Sequence, residues 1–233
     1  MRIAVVGAAN QGKSTFVNDF LENWPMYKKG EGNYRNLIKA KKLQTNKTGN
    51  AESQALILNS IMDEAMEYEK SDFVIHDRCV LDNLVYTMWL ASKETGGVDD
   101  AFVNKSLALA KQGLHFYDII LYFPILEKYK IEPEEREGRE TDNVYNEEID
   151  NFFKAIQQTY TDCDETVFEF SSPDGAPALI ELFGGPRERI EMMKLYLDTD
   201  GDVFGKSASD SLLQLPDIEE QATLDKIVEQ NKL

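Results

Sequence analysis

Residues 7–14 read Gly7-Ala8-Ala9-Asn10-Gln11-Gly12-Lys13-Ser14. The spacing is G-x-x-x-x-G-K-S, and each fixed position answers a need of phosphate binding. Gly7 and Gly12 let the backbone approach a phosphate without a Cβ in the way. The amides from about Ala9 through Asn10, Gln11 and Gly12 to Thr15 can then point inward as a concave anion nest. The N-terminus of the next helix lies behind that nest and adds partial positive charge. Lys13 supplies a point charge for β- and γ-phosphates, and Ser14 offers a hydroxyl to Mg2+. The flanks agree with this reading. An apolar run over 1–6 predicts a buried strand, and 15–21 continues as a helix.

A second group of chemical residues closes the apolar run 72–78, which ends in His76-Asp77-Arg78. Functional groups of an open parallel sheet lie at the carboxyl ends of its strands. A strand here, beside the first, would deliver Asp77 to a γ-phosphate. There Asp77 can organise Mg2+ or accept a proton from an acceptor hydroxyl, and both roles stay open. Arg78 can clamp a phosphate or spread transition-state charge. Asp82 reads equally as a substrate contact and as a helix-start acid. His76 points to the opposite face from Asp77 and reads as structural. Further on, Arg136-Glu137-Gly138-Arg139 sits in the charged, irregular stretch 127–144. A hinge glycine between two guanidinium groups suits a lid that closes over phosphates. Acids outnumber bases there, seven to four, so a solvated loop is the competing reading.

The stretch 27–47 stands apart from the rest. Its seven basic residues against the single acid Glu31 leave +6, inside a chain whose net charge is −17. Tyr27 and Tyr34 are interleaved with the lysines. The segment reads either as a wet helix face or as the wall that holds an anionic acceptor. On the second reading Tyr34, Arg35 and Lys39 are substrate contacts. The following helix, 49–68, carries Gln54 near its start, where it can read a base edge.

At 233 residues the chain is expected to be one large domain or one domain with an appendage. Its strong acidity disfavours general binding to nucleic acid or anionic membrane. Cys79 and Cys163 make no disulfide framework and read as reduced thiols of a cytoplasmic protein. No signal peptide and no apolar run long enough for a membrane span is evident. The run 117–124 predicts a strand covered on both faces. Residues 165–170 alternate as a further strand, 171–175 turn, and 178–183 read as a helix. Pro186 starts another helix to about 197. Asp198-Thr199-Asp200-Gly201-Asp202 opens like a calcium loop but carries Val203 and Ser209 where Gly and Glu belong. A plain Asp-Gly turn is expected instead. Residues 221–232 read as a short terminal helix.

The strand–GxxxxGKS–helix unit, the apolar run ending in Asp-Arg and the R-x-x-R stretch together resemble the P-loop nucleoside and nucleotide kinases. The likeness is to the thymidylate-kinase and ribosylnicotinamide-kinase-like group, including small virus-encoded members. It implies an α/β fold of three layers, α/β/α, with a mostly parallel sheet, a helical acceptor region and a lid. On that likeness residues 1–197 form the kinase domain, with the acceptor region at 27–68 and the lid at 127–144, and 198–233 are a C-terminal appendage. It implies ATP and Mg2+ as cofactors and transfer of the γ-phosphate to a nucleoside or nucleotide. Gly7 to Thr15 would hold ATP phosphates, Ser14 and Asp77 the metal. Lys13, Asp77, Arg78 and Arg139 would be catalytic, and Arg136 a lid contact to ATP. A virus-encoded member would work in the host cytoplasm, and a homodimer is compatible with the group. Two other functions fit the residues. The +6 stretch suits a kinase acting on a modified nucleotide within DNA, such as hydroxymethyluracil. The phosphate loop alone suits an NTPase switch that moves a protein partner, although the chain shows no obvious water-orienting glutamine after Asp77.

Overall fold

The computed structural model describes residues 1–129, 140–160, 168 and 176–203. Arg136 and Arg139, most of the expected strand and turn over 165–175, Cys163, and everything after 203 lie outside the described residues.

Strand β1 (Arg2–Val6) is flanked by β3 (Val74–Asp77) and β4 (Ile119–Tyr122). Strand β2 (Lys28–Lys29) pairs with β3 at one edge, and β5 (Ala178–Glu181) pairs with β4 at the other. The order is β2-β3-β1-β4-β5 and every pairing is parallel. All strands therefore end on the same side, where the connections to the helices leave the sheet.

The period-2 alternation of the central strands feeds two cores. Ile3, Val5, Leu121 and Phe123 face one side, against Phe16, Val17 and Phe20 of α1 (Lys13–Asn23) and Ile190 and Met193 of α7 (Pro186–Met193). Ala4, Val6, Ile120 and Tyr122 face the other. There they meet α3 (Ala51–Glu67), α4 (Val80–Ser92) and α6 (Asn143–Tyr160). Strands covered on both faces read as unbroken apolar runs, as these do. The short α2 (Asn33–Lys41) packs on α3, and α5 (Asp100–Leu114) on α4. The three-layer α/β/α arrangement expected of the sequence is thus present.

One element differs from expectation. Residues 178–183 are not a helix; Ala178–Glu181 add a fifth strand to β4, in register Ile120↔Leu179 and Leu121↔Ile180. Only six residues precede Gly184-Gly185, too few for a helix to hold itself together, while the open edge of β4 offers a full ladder of bonds. The β2 lysines were also not expected in a strand. Their side chains are exposed, as suits a charged edge.

Residues 197–203 fold back on the α1 side. Asp198 Oδ1 accepts bonds from the amides of Asp200 (2.9 Å) and Asp202 (3.0 Å), which makes a side-chain-capped turn. Trp24 Nε1 donates to the Asp198 carbonyl at 2.8 Å and Tyr27 Oη to that of Gly201 at 2.7 Å. Among the described residues no helix is long and apolar enough to cross a membrane.

Candidate active site

The loop between β1 and α1 turns at Gly7, whose φ is 141°. A Cβ there would stand 2.6 Å from the Phe123 carbonyl at the end of β4, so only glycine lets the loop leave the sheet at this angle. Gly12, at φ 72°, precedes the first turn of α1. Helices α3 and α5 are capped by the side chains of Asn50 and Asp99; α1 has no side-chain cap. Its first-turn amides remain free for a ligand, and the loop before it brings further amides alongside.

Lys13 folds back on this loop. Its Nζ donates to the carbonyls of Gly7 (2.7 Å) and Ala8 (2.6 Å). Burial, and then repulsion from Arg78, bring its pKa down to about 7. Its hydrogen-bond partners are neutral carbonyls, and the Asp82 and Asp77 carboxylates act on it only through space, so an arriving phosphate adds counter-charge at close range.

Pairing of β1 with β3 sets Val5 opposite Asp77. That register delivers Asp77 to the start of α1. Ser14 Oγ donates to Asp77 Oδ2 at 2.6 Å, and Arg35 Nη2 of α2 donates to the same oxygen at 2.8 Å. Oδ1 is buried and has no hydrogen-bond partner among the described residues. Burial works against ionisation of Asp77, but the Arg35 guanidinium, the Ser14 hydroxyl and Lys13 outweigh it and hold the carboxyl below its ordinary range. Ser14 and Asp77 therefore present two hard oxygens, one of them with a free neighbour. No group of three acidic, histidine or cysteine side chains stands together among the described residues. Mg2+ does not need one, since it keeps waters and takes one or two protein oxygens beside phosphate oxygens.

Arg78 follows with φ 96°, a conformation a non-glycine residue rarely adopts. It costs roughly 1–3 kcal/mol and persists where the surroundings over-determine it. Here they do. The Arg78 amide donates to the Val5 carbonyl at 3.0 Å, extending the ladder by one residue. The guanidinium lies 5.5 Å from the Tyr86 ring, 5.9 Å from the Tyr34 ring and 3.9 Å from Asp82 Oδ1. Asp82 is the third residue of α4 and accepts from the Cys79 amide at 3.2 Å, so it is a helix cap and a wall residue at once.

These groups line one cavity of about 870 Å³. It runs from the phosphate loop (Ala9 to Thr15) past Asp77, Arg78 and Asp82. Beyond them it reaches a space bounded by Tyr34, Ile38, Ile57, Ile61, Gln54, Asn83 and Tyr86. Of the substrate contacts expected from sequence, Tyr34, Arg35, Lys39, Gln54 and Asp82 all line it. Lys39 and Thr15 are exposed at its rim, and Gln54 is buried. His76 faces away, as expected, and meets Glu64 at 3.2 Å. The basic stretch is not one continuous free surface. Arg35 pairs with Asp77, and Lys47 bonds the Asp142 carboxylate, whereas Lys28, Lys29, Lys41 and Lys42 are exposed. The lid arginines Arg136 and Arg139 lie outside the described residues. Glu140 lies against the phosphate loop, and its carbonyl accepts from Asn10 Nδ2 at 2.9 Å.

Three residues of the site were not anticipated. Arg189 of α7 is buried, donates to the Gln11 carbonyl at 2.5 Å, and stacks 4.1 Å from the Phe123 ring centroid. Burial lowers its pKa to about 10. Nothing in the sequence ties residue 189 to residue 11. Asn83 and Thr87 of α4 bond Gln54. They left a signal in the sequence. Asp82, Asn83, Tyr86 and Thr87 form a polar i, i+1, i+4, i+5 stripe on an otherwise apolar helix.

The parallel sheet of order 2-3-1-4-5 between helical layers is a fold already seen in solved structures. Three solved structures share it. Deoxyadenosine kinase from M. mycoides with bound dATP is 16% identical at a TM-score of 0.56, over 83% of this chain and 97% of that one. Thymidylate kinase from Candida albicans is 15% identical at 0.56, over 83% and 89%. NadR in complex with NR is 17% identical at 0.52, over 76% of this chain and 47% of that one, so the match spans about half of NadR. No family model and no curated protein sequence matches the chain.

Proposed function

We propose that the protein is an ATP-dependent kinase that transfers the γ-phosphate to a nucleoside or nucleotide. The observation that carries this is the meeting of Ser14 and Asp77 at 2.6 Å, with Arg35 on the same Asp77 oxygen and Arg78 beside Asp82 in the wall of the same cavity. A mere phosphate cradle needs neither guanidinium nor a cavity that continues beyond them. The neighbours in fold carry names of nucleoside and nucleotide kinases, which supports the acceptor class.

In this reading the amides of residues 9–15 hold the ATP phosphates. Lys13 leaves the Gly7 and Ala8 carbonyls for the β- and γ-oxygens. Ser14 Oγ and the Asp77 carboxylate hold Mg2+, which when bound offsets phosphate charge. Asp77 is kept ionised and is therefore a weak base, which favours organising the metal and its water over removing a proton. Arg78 faces the transferring phosphate. Arg35 and Lys39 approach the acceptor, and Gln54 reads its base, so that 27–68 is the acceptor region. Arg136 and Arg139 are lid residues. The Asn10–Glu140 bond supports this by placing the end of the 127–144 stretch on the phosphate loop.

Incubation with γ-labelled ATP and a panel of nucleosides, nucleotides and oligonucleotides tests the proposal. Label is expected on a free nucleoside or nucleotide. Label confined to oligonucleotides, or release of phosphate with no acceptor labelled, would replace it.

A further inference from the structure

The far wall of the cavity carries a hydrogen-bond arrangement whose direction is fixed. Asn83 Nδ2 lies 3.1 Å from the backbone carbonyl of Gln54 and 2.8 Å from the Gln54 side-chain amide. A backbone carbonyl can only accept. Asn83 must therefore present its nitrogen here, and the Gln54 atom facing that nitrogen must be Oε1. Thr87 Oγ1 stands 3.5 Å from the same Oε1. The oxygen of Gln54 is thus turned into the protein. Its Nε2 makes no bond to any described residue, and Gln54 lines the cavity. Gly49 keeps the space beside that nitrogen open, since a Cβ there would stand 3.2 Å from it. A glutamine free to rotate could offer either a donor or an acceptor. This one offers a donor only.

We propose that Asn83 is a specificity-determining positioning residue. It locks the Gln54 carboxamide so that the acceptor pocket selects ligands with a hydrogen-bond acceptor, a ring nitrogen or a carbonyl, at the base-edge atom facing Gln54. The inference rests on reading this end of the cavity as the base pocket. A ligand with an N–H at that atom would leave two donors facing each other at a buried side chain. Such a mismatch costs about ten- to hundred-fold in affinity.

The substitution Asn83→Asp inverts the lock. Two carboxylate oxygens oppose both the Gln54 backbone carbonyl and Oε1; the carbonyl is fixed, so Gln54 relieves the clash by turning Nε2 toward residue 83 and Oε1 toward the cavity. Cytidine against uridine, and adenosine against inosine, exchange donor and acceptor along one edge, and their 5′-monophosphates do the same. Calorimetric binding of these pairs, without ATP, is the test. Wild type should prefer one member of a pair by about tenfold or more, and Asn83→Asp should prefer the other. Asn83→Ala, which frees Gln54 without adding charge, should bring the ratio toward one, and it serves if the aspartate does not fold by thermal unfolding. A wild-type ratio of one, or a ratio kept unchanged by the folded variants, overturns the inference. Phosphate transfer is read separately. Edge-selective binding without transfer removes the kinase reading and leaves this inference standing. Transfer without edge selectivity does the reverse.

Discussion

Lys13 sits on the carbonyls of Gly7 and Ala8, and burial brings its pKa down to about 7, so it gives up its proton near neutral pH before any ligand arrives. Bound phosphates favour the charged form. Binding of ATP must then take up a proton, and more of one as the pH rises from 7 to 8. The sign follows from linkage: the state that holds more protons loses ground as pH rises. Affinity should fall by up to about tenfold per pH unit above 7, and calorimetry at pH 8 in buffers of different ionisation enthalpy should show an uptake approaching one proton. Lys13→Met should abolish that uptake; wild-type binding with no uptake would remove the argument. Asp77 behaves oppositely. Its lowered pKa means that its ionised form contributes stability above the ordinary value near 4 and loses it as pH falls through the lower folded value. Activity should therefore show no acid limb from Asp77 between about pH 5 and 7. Asp77→Asn should lower kcat by about 10²–10³-fold at every pH in that range, measured as a pH–rate profile.

At the scale of elements, β1, the phosphate loop and α1 were legible because glycine spacing and an apolar run are local signals. The end of β3 was legible for the same reason, since an acid and an arginine close an apolar stretch. What was not legible came from pairing. Nothing local marks Ala178-Leu179-Ile180-Glu181 as a strand; the open edge of β4 decides it. The same limit hid Arg189, which reaches Gln11 across 178 positions of sequence. Its guanidinium holds that carbonyl away from the nest and adds positive charge with no carboxylate beside it in the described contacts. Arg189→Met should raise KM for ATP by about tenfold while changing kcat less, since the loop loses its brace and the acceptor side is untouched. An equal fall in kcat with unchanged KM would contradict the bracing role. Asn83 and Thr87, by contrast, stood in plain view as polar residues on an apolar helix, but what they bind, Gln54, is 29 and 33 positions away.

At the scale of the whole molecule, a chain of net charge −17 gathers Lys13, Arg35 and Arg78 around one cavity, and the sheet carries them there. The two cores have separate tasks. The side of α2, α3 and α4 walls the far end of the cavity, and the α1–α7 side holds the phosphate loop. Phe20 illustrates the second. It is fully buried, 4.7 Å from the Trp24 ring and edge-on to Tyr27 at 4.9 Å, and these two residues in turn hold the turn 198–202. Phe20→Ala should cost about 3–5 kcal/mol, read from denaturant unfolding with the slope unchanged. A loss below about 1 kcal/mol would mean that this cluster is not what anchors α1.

We propose that phosphoryl transfer takes place beside Lys13, Ser14 and Asp77, with Arg78 in the wall of the same cavity. The most direct test is the rate of transfer from γ-labelled ATP to the preferred acceptor, compared between wild type and Lys13→Ala at matched folding. A fall of about 10²-fold or more is predicted. Transfer by Lys13→Ala at the wild-type rate would contradict the account.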